Sequence, residues 1–193
     1  MIRDHLKYRD VPETAPVIIE EDAAYFTLYN LSGKIVGYQR YNPTGNKARG
    51  IYRDAPKEEL KYVTTVTREN PERNIPYLAV YGLHTLKDNL PYVFVVEGIF
   101  DAVKLEKLGY PVIATLTNNP VRLVNFFRII PKTKIVWKDR DEASKELRII
   151  ADFSLCTPAP HKDLGEMLLE DVKAWSEYVL WMIWMQRTPA WIG

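Results

Sequence analysis

The pattern of hydrophobic and polar residues changes near Asn89. Before that residue, the stretch AAYFTLYNLSGKIVGYQRYN (23–42) alternates apolar and polar positions around a central Ser-Gly turn, as the two strands of a β-hairpin do. Tyrosine, threonine and valine recur in KYVTTVT (61–67), which favours a further strand. We therefore predict that residues 1–88 form a small, mixed, mainly antiparallel β subdomain.

The residues after Asn89 alternate between strand and helix patterns. Unbroken apolar runs in YVFVVEG, PVIATL and KIVWKD are separated by segments with helical spacing. Apolar runs without alternation are typical of parallel strands that are covered on both faces. Residues 89–193 are therefore predicted to form an α/β domain in which helices flank a parallel sheet, with a C-terminal helical segment. The run VLWMIWM (179–185) is shorter than the roughly 20 residues that span a bilayer, and it predicts a helix that packs on the domain or on a partner.

The composition restricts the possible partners. The chain has 193 residues with 26 Lys and Arg against 25 Asp and Glu, so its net charge is +1 and any nucleic-acid site must be a local basic patch. Its single cysteine, Cys156, excludes an internal disulfide and a four-cysteine zinc site. No apolar stretch opens the chain as a signal peptide does, so we expect a cytoplasmic protein.

Acidic residues stand where the predicted parallel strands end. Glu97 ends the first strand, Asp139 and Asp141 follow the third, and Asp163 follows the next. The carboxyl ends of parallel strands open onto the crevice that usually binds ligands. Carboxylates that converge there repel one another unless a cation neutralises them, and hard oxygen ligands favour Mg²⁺ or Mn²⁺. The order of acids therefore predicts a divalent-cation site.

Each acid also has a structural interpretation, which the sequence leaves open. Glu97 or Asp101 is suited to the cap or first turn of a helix, where the helix dipole favours an acid. Asp139 and Asp141 are equally suited to a turn and a cap. Asp163 either adds a carboxylate near the metal or caps the helix predicted in DLGEMLLEDVKAW. The joint order of strands and acids, rather than any one acid, favours the metal site.

This order resembles the Toprim domain, the metal-binding module of bacterial-type primases, topoisomerases and some nucleases. VVEGIFDAVKLEKLGYPVIATL (95–116) is similar to the primase version of the domain. GKIVGYQRY, LKYVTT and LAVYGL occur in the order of the primase segment that precedes Toprim. HKDLGEML and the final PAWIG resemble parts of the primase half of phage primase-helicases. The resemblance extends over residues 33–167 and does not rest on one motif.

The resemblance implies roles for the acids. Glu97 takes the place of the Toprim glutamate, an acid/base or metal-organising group, and Asp139 and Asp141 take the places of the metal-holding pair. Asp163 is a further metal candidate, and Gly98 leaves room for a metal or a phosphate. In such enzymes Mg²⁺ or Mn²⁺ activates the 3′-hydroxyl that attacks an α-phosphate and screens the charge of the triphosphate.

Contacts with nucleotide or DNA are expected from both halves of the chain. The candidates are Arg40, Lys61, Tyr62, Gly98 and Lys138. Arg40 and Lys61 match basic residues of the family, whereas the neighbouring Lys47 and Arg49 are interpreted as solvated surface charges. Tyr62 is equally suited to stacking on a base and to packing in the sheet.

The sequence departs from the family at two turns. Residues 115–117, Thr-Leu-Thr, stand where primases commonly have a serine-leucine-glycine turn, so we expect residues 118–120 to make the turn and the loop to have another shape. Ser144 stands where a glycine usually follows the second aspartate. The sequence contains neither the zinc-binding module nor the G-x-x-x-x-G-K-[ST] motif of a helicase, so a primase of this kind would be a bare catalytic core.

Three functions agree with these residues. The first is a DNA primase-like core, a nucleotidyltransferase that makes RNA primers on single-stranded DNA from ribonucleoside triphosphates during phage DNA replication. It would work beside a separate helicase or zinc-binding module, in the host cytoplasm if a phage encodes it. The second is a Toprim nuclease, which the primase-like segment before Toprim disfavours. The third is a non-catalytic protein that docks on nucleic acid or a replication partner; the altered turn at 115–117 favours it, and the intact Glu97, Asp139 and Asp141 disfavour it.

Overall fold

The computed structural model describes residues 1–48, 52, 54–70, 72–87, 89–117, 119–140 and 143–187. Arg49, Asn118, Asp141 and the final PAWIG lie outside the described residues, together with the predictions made for them. Within the described part of the chain, no helix is both long and apolar enough to cross a membrane.

A four-stranded antiparallel sheet forms from the residues before Asn89. In spatial order its strands are β1 (Val17–Ile19), β2 (Ala24–Tyr29), β3 (Ile35–Tyr41) and β4 (Tyr62–Val66). The turn between β2 and β3 contains Gly33 at φ 77°, a left-handed conformation that glycine adopts without strain. Helix α1 (Ile2–Tyr8) precedes this sheet, and a ribbon of β5 (Arg68–Asn70) and β6 (Ile75–Pro76) follows it.

A four-stranded parallel sheet forms from the later residues, in the order β10-β9-β7-β8. Its strands are β7 (Tyr92–Val96), β8 (Val112–Ala114), β9 (Thr133–Lys138) and β10 (Phe153–Cys156). The helices of this part are α2 (Ile99–Lys107), α3 (Val124–Ile129) and α4 (Leu169–Arg187). The predicted fold class, a parallel α/β sheet with flanking helices preceded by a mainly antiparallel sheet, is thus observed.

One predicted helix begins later than its sequence suggested. Leu164–Glu166 is a short 3₁₀ helix, and α4 begins only at Leu169. Between them Met167 is extended, with ψ 152°, and its side chain is buried. The chain leaves the helical conformation at Met167 and packs this apolar side chain into the core.

An aromatic cluster fills the space between the two sheets. Phe100, in the first turn of α2, has its ring centroid 5.7 Å from that of Phe26 on β2 and 4.6 Å from that of Tyr41 on β3. The ring centroids of Tyr81 and Phe26 lie 6.0 Å apart. All three contacts are edge-to-face, the arrangement that the charge distribution of aromatic rings favours. The antiparallel sheet and α2 therefore share one hydrophobic core.

The backbone also joins the two sheets. Val80 pairs with Tyr29 at the end of β2, and the next residue, Tyr81, pairs with Ala114 on β8. Because neighbouring residues bond to different sheets, this short segment fixes the position of one sheet relative to the other.

We expect Phe100→Ala to destabilise the fold by about 3–5 kcal/mol, because it removes a buried ring from both sheets and leaves a cavity between them. Ile129→Ala is the matched control: Ile129 is 73% exposed, so its loss should change stability by less than about 0.5 kcal/mol. Urea unfolding of both variants measures the difference. Equal midpoints would contradict a shared core at Phe100.

Candidate functional site

The carboxyl edge of the parallel sheet borders a cavity of about 400 Å³. Glu97 directly follows β7 and Asp139 directly follows β9, and these two strands are neighbours in the sheet. Both side chains line the cavity, as do Asp101 and Asp163. The structure therefore brings together three of the four predicted metal candidates, and the fourth, Asp141, lies outside the described residues.

The four carboxylates line the cavity without forming a compact ligand cage. Among the described residues, no group of three or more His, Cys, Asp or Glu side chains is close enough to hold a metal ion. The donors nevertheless fit a hard cation in their chemistry, since each is a carboxylate oxygen. The role of Glu97, Asp139 and Asp163 as metal ligands remains a prediction.

Gly98 makes room for a buried carboxylate. A Cβ atom at Gly98 would lie only 2.8 Å from Oδ2 of Asp101, so any larger residue would displace that carboxylate. On its other side, Oδ1 of Asp101 accepts a hydrogen bond of 2.8 Å from the N–H of Gly165. Asp101 was interpreted as an acid of the first helical turn, and it occupies that turn of α2. Its carboxylate, however, is buried at the base of the cavity.

Burial changes the acidity of Asp101. Loss of solvation raises its pKa to about 7, and the negative charge of Asp163 adds to this effect. The hydrogen bond from Gly165 and the positive charge of Arg9 act in the opposite direction, but they are weaker. Burial therefore brings the pKa of Asp101 close to neutral pH.

Asp163 caps a helix, and it also lines the cavity. Its Oδ1 accepts a 3.0 Å hydrogen bond from the N–H of Glu166 and so caps the short 3₁₀ helix. In return, the carboxylate of Glu166 accepts a 2.8 Å hydrogen bond from the N–H of Lys162. This reciprocal cap holds the carboxylate of Asp163 at the edge of the cavity.

Cationic side chains line the cavity together with the acids. Arg9, Lys47 and Lys162 belong to its lining. The guanidinium carbon of Arg9 lies 4.4 Å from the ring centroid of Phe100, a cation–π contact, and its buried Nε has no hydrogen-bond partner among the described residues. Lys61 lies beside them: burial lowers its pKa, and the charges of Lys47 and Arg9 lower it further.

Arg9 was missed in the sequence because it has no motif around it. It follows the short helix α1 and stands far from the acids along the chain. Lys47 was interpreted as a solvated charge; its side chain is exposed, yet it borders the cavity. Only the folded arrangement reveals that these two residues line the same cavity as the carboxylates.

Arg40 is not among the described residues that line the cavity. Residues alternate between the faces of β3, and Gln39 and Tyr41 take the inner face, so Arg40 lies on the outer face. There its guanidinium donates hydrogen bonds to the carbonyl oxygens of Lys57 and Leu60, the latter at 3.2 Å. Arg40 therefore holds the segment before β4 in place.

The remaining nucleotide candidates differ in position. Tyr62 lines the cavity from β4, with its ring centroid 5.3 Å from that of Tyr41, so stacking and packing both remain open. Burial raises the pKa of Tyr62 to about 12, and the neighbouring Tyr41 contributes. Lys138 is buried and is not one of the described lining residues; its carbonyl accepts a 3.0 Å hydrogen bond from the N–H of Thr157.

The altered turn after β8 is tied to the site. Leu116 adopts φ 59°, a left-handed conformation that is uncommon for a bulky residue, and its side chain lines the cavity. Its N–H donates a 2.9 Å hydrogen bond to the carbonyl of Glu97. The hydroxyl of Thr115 donates to the carbonyl of Thr117 at 2.7 Å, which closes the turn.

Solved structures of DNA primases are similar to this chain. The DnaG primase catalytic domain bound to single-stranded DNA is 18% identical over 91% of this chain, with a TM-score of 0.53. A DNA primase domain from Pseudomonas aeruginosa is 18% identical over 98% of the chain, with a TM-score of 0.53. The primase fragment of the bacteriophage T7 primase-helicase is 16% identical over 86%, with a TM-score of 0.51. The chain spans 58% of the first of these structures and 65% of each of the other two.

No protein-family model matches the chain, and no curated protein matches its sequence. At these identities the solved structures establish the fold. The chain has the fold of a Toprim-type primase catalytic core, as the order of its motifs predicted.

We expect Asp101→Asn to flatten the dependence of stability on pH. Because the pKa of Asp101 is raised from 3.8 to about 7, the folded chain retains a proton that the unfolded chain loses. This contribution to the free energy of unfolding is complete below pH 3.8 and is lost as the pH rises to about 7. Thermal melts in chelator across that range measure it. The exposed Asp22→Asn is the control, and an Asp101→Asn profile parallel to the wild-type profile would disprove the assignment.

Proposed function

We propose that this protein is a DNA primase-like core that joins ribonucleotides on a single-stranded DNA template by metal-dependent nucleotidyl transfer. The observation that carries the proposal is the cavity at the carboxyl edge of the parallel sheet. There Glu97 and Asp139 come from neighbouring strands, and Arg9 and Lys47 line the same cavity. A triphosphate with its cation needs both carboxylates and positive charges, and this cavity supplies both.

The proposed metal ligands are Glu97 and Asp139, assisted by Asp163 and by Asp141. Bound Mg²⁺ or Mn²⁺ would activate the attacking 3′-hydroxyl and offset the charge of the triphosphate. Glu97 lies where β7 ends, and its carbonyl accepts the hydrogen bond from Leu116, so its backbone position is fixed by the next strand of the sheet. Asp139 is positioned by β9, because it directly follows that strand.

The cationic side of the cavity is the proposed site for the phosphates. Arg9 presents a planar guanidinium that is suited to two hydrogen bonds with one phosphate, and its cation–π contact with Phe100 helps to hold it at the cavity. Lys47 lies close enough to Lys61 for its charge to lower the pKa of Lys61. An anion bound between the two lysines would relieve this repulsion. We propose that Tyr62, which lines the cavity, stacks on a base there.

The alternatives differ from this proposal in their products. A Toprim nuclease would cleave DNA with the same acids, and a docking protein would bind nucleic acid without changing it. The antiparallel sheet and its β3–β4 connection support the primase because they contribute Gln39, Lys47 and Tyr62 to the cavity, and none of these is a carboxylate. Incubation with single-stranded DNA, labelled ribonucleotides and Mg²⁺ or Mn²⁺ separates the three, since only a primase makes short RNA oligomers.

We expect Asp139→Asn and Asp141→Asn each to abolish primer synthesis, by at least about 100-fold, while preserving or raising stability without metal. Removing one carboxylate lowers the repulsion in the metal-free site and destroys a metal ligand. Thermal melts with and without millimolar Mg²⁺, together with the primer assay, measure both effects, and Asp22→Asn is the control. If Mg²⁺ leaves the melting temperature of the wild type unchanged and both variants are as active as the wild type, the docking protein would be favoured.

We expect Lys47→Ala and Lys61→Ala to weaken the binding of single-stranded DNA or nucleoside triphosphate. Each lost phosphate contact should lower the slope of log affinity against log salt by roughly 0.7 for a single strand. Lys34→Ala is the control, because Lys34 is exposed at the β2–β3 turn, on the antiparallel sheet but outside the cavity lining. Fluorescence anisotropy at several salt concentrations measures the slopes. If both variants keep the wild-type affinity and slope, these lysines are solvated surface charges.

A further inference from the structure

Helix α4 has an apolar face on each side. Its inner face carries Val172, Ser176 and Ile183, which are buried against the rest of the molecule. Six large apolar side chains of α4 are exposed; Trp184 is on the side of the helix that carries Glu177, and the other five share the outer face. Their exposed fractions are 38% for Trp175, 51% for Tyr178, 53% for Trp181, 36% for Met182 and 49% for Met185. We call these five residues the α4 stripe.

The spacing of the α4 stripe is that of a helix–helix seam. Trp175, Tyr178, Met182 and Met185 follow one another at intervals of three, four and three residues, the a and d positions of a heptad. Trp181 lies beside this line and widens it. The aromatic rings already contact one another: the centroids of Trp175 and Tyr178 lie 5.7 Å apart, and those of Tyr178 and Trp181 lie 6.3 Å apart.

Between Trp175 and Met185 the one charged residue of α4, Glu177, lies off the stripe, whereas Asp171 continues the line of the stripe into the first turn. Lys173 and Glu177 are on another side of the helix, where they form an exposed ion pair of 3.9 Å. The first turn carries Glu170 and Asp171, so the helix offers acids near one end and no described lysine or arginine within the stripe. Such a surface is unsuited to nucleic acid or to an anionic membrane, both of which need positive charge.

The exposed area agrees with a symmetric pair of helices. At roughly 200 Å² for a fully exposed side chain of this size, the stripe leaves roughly 450 Å² uncovered, within the range of the largest patches on monomers. Two stripes facing each other would bury about 900 Å², close to the roughly 1,000 Å² of a specific interface before flanking atoms are counted. A straight apolar seam on one helix is also complementary to itself, as a two-fold interface requires.

We propose that the occupant of the α4 stripe is a second copy of this chain, packed through an antiparallel pair of α4 helices. Antiparallel pairing about a point near residue 180 places Tyr178 of one copy opposite Met182 of the other. The C-terminal half of α4 lies near the amino ends of β7 and β9, where Leu180 and Ile183 face Tyr92 and Thr133. The cavity with Glu97 and Asp139 is at the opposite edge of that sheet, so each copy keeps an open cavity.

The mass of the protein in solution tests this proposal independently of any enzymatic activity. Sedimentation velocity of the wild type between about 1 and 100 µM should give a species of twice 22.4 kDa. Tyr178→Lys and Trp181→Lys should each weaken the dimer at least tenfold, with melting temperatures that show a folded chain. Ile129→Lys, the same change at a site that is 73% exposed outside α4, should remain dimeric.

Disulfide trapping tests the predicted register. In a Cys156→Ser background, a mixture of Tyr178→Cys and Met182→Cys chains should give a covalent heterodimer after mild oxidation, and Glu177→Cys should not cross-link. A wild type that stays monomeric at 100 µM would overturn the proposal. So would a dimer that Tyr178→Lys and Trp181→Lys leave unchanged, because its interface would then lie elsewhere.

Discussion

The cavity depends on how the first turn of α2 is held between the two sheets. Phe100 packs edge-to-face against Phe26 and Tyr41 of the antiparallel sheet, while the preceding residue, Ile99, is buried as well. This packing fixes the turn that carries Glu97, and it orients the helix so that Asp101 points back toward the cavity. Hydrophobic contacts that never reach a ligand therefore determine where the carboxylates lie.

The carboxylates around the cavity concentrate negative charge, and nearby N–H groups and Arg9 partly offset it. The N–H groups of Gly98 and Gly165 donate to Asp101, and the N–H of Glu166 donates to Asp163. Arg9 brings a positive charge from a distant part of the chain. These interactions only partly offset burial, since the pKa of Asp101 still rises to about 7. A cation is the one partner that would let all the carboxylates stay ionised together.

Residue positions that follow from the order of the strands could be predicted from the sequence. Positions that depend on tertiary packing could not. Glu97 and Asp139 were found because each follows an unbroken apolar run, and parallel strands end at a common edge. The outer-face position of Arg40 could not be read from the sequence, because β3 carries partly exposed residues on both faces and its pattern does not identify the inner one. Arg9 was missed because α1 reaches the cavity only after the chain has folded. The break at Met167 was missed because DLGEMLLEDVKAW has good helical spacing throughout.

The antiparallel sheet limits the chemistry more than the acids do. Carboxylates at the carboxyl edge of a parallel sheet suit both phosphodiester cleavage and nucleotidyl transfer, so Glu97 and Asp139 do not distinguish them. Under the proposed function, the wall made by Gln39, Lys47 and Tyr62 would bind a base and its phosphates through its amide, its cation and its aromatic ring. Since the side chain of Gln39 is itself held by a 2.9 Å hydrogen bond to the hydroxyl of Thr64, part of this wall is fixed before any ligand arrives. If the proposed function is right, such a wall would hold a nucleotide in position for joining, a step that gains more from orientation than hydrolysis, in which water is the second reactant.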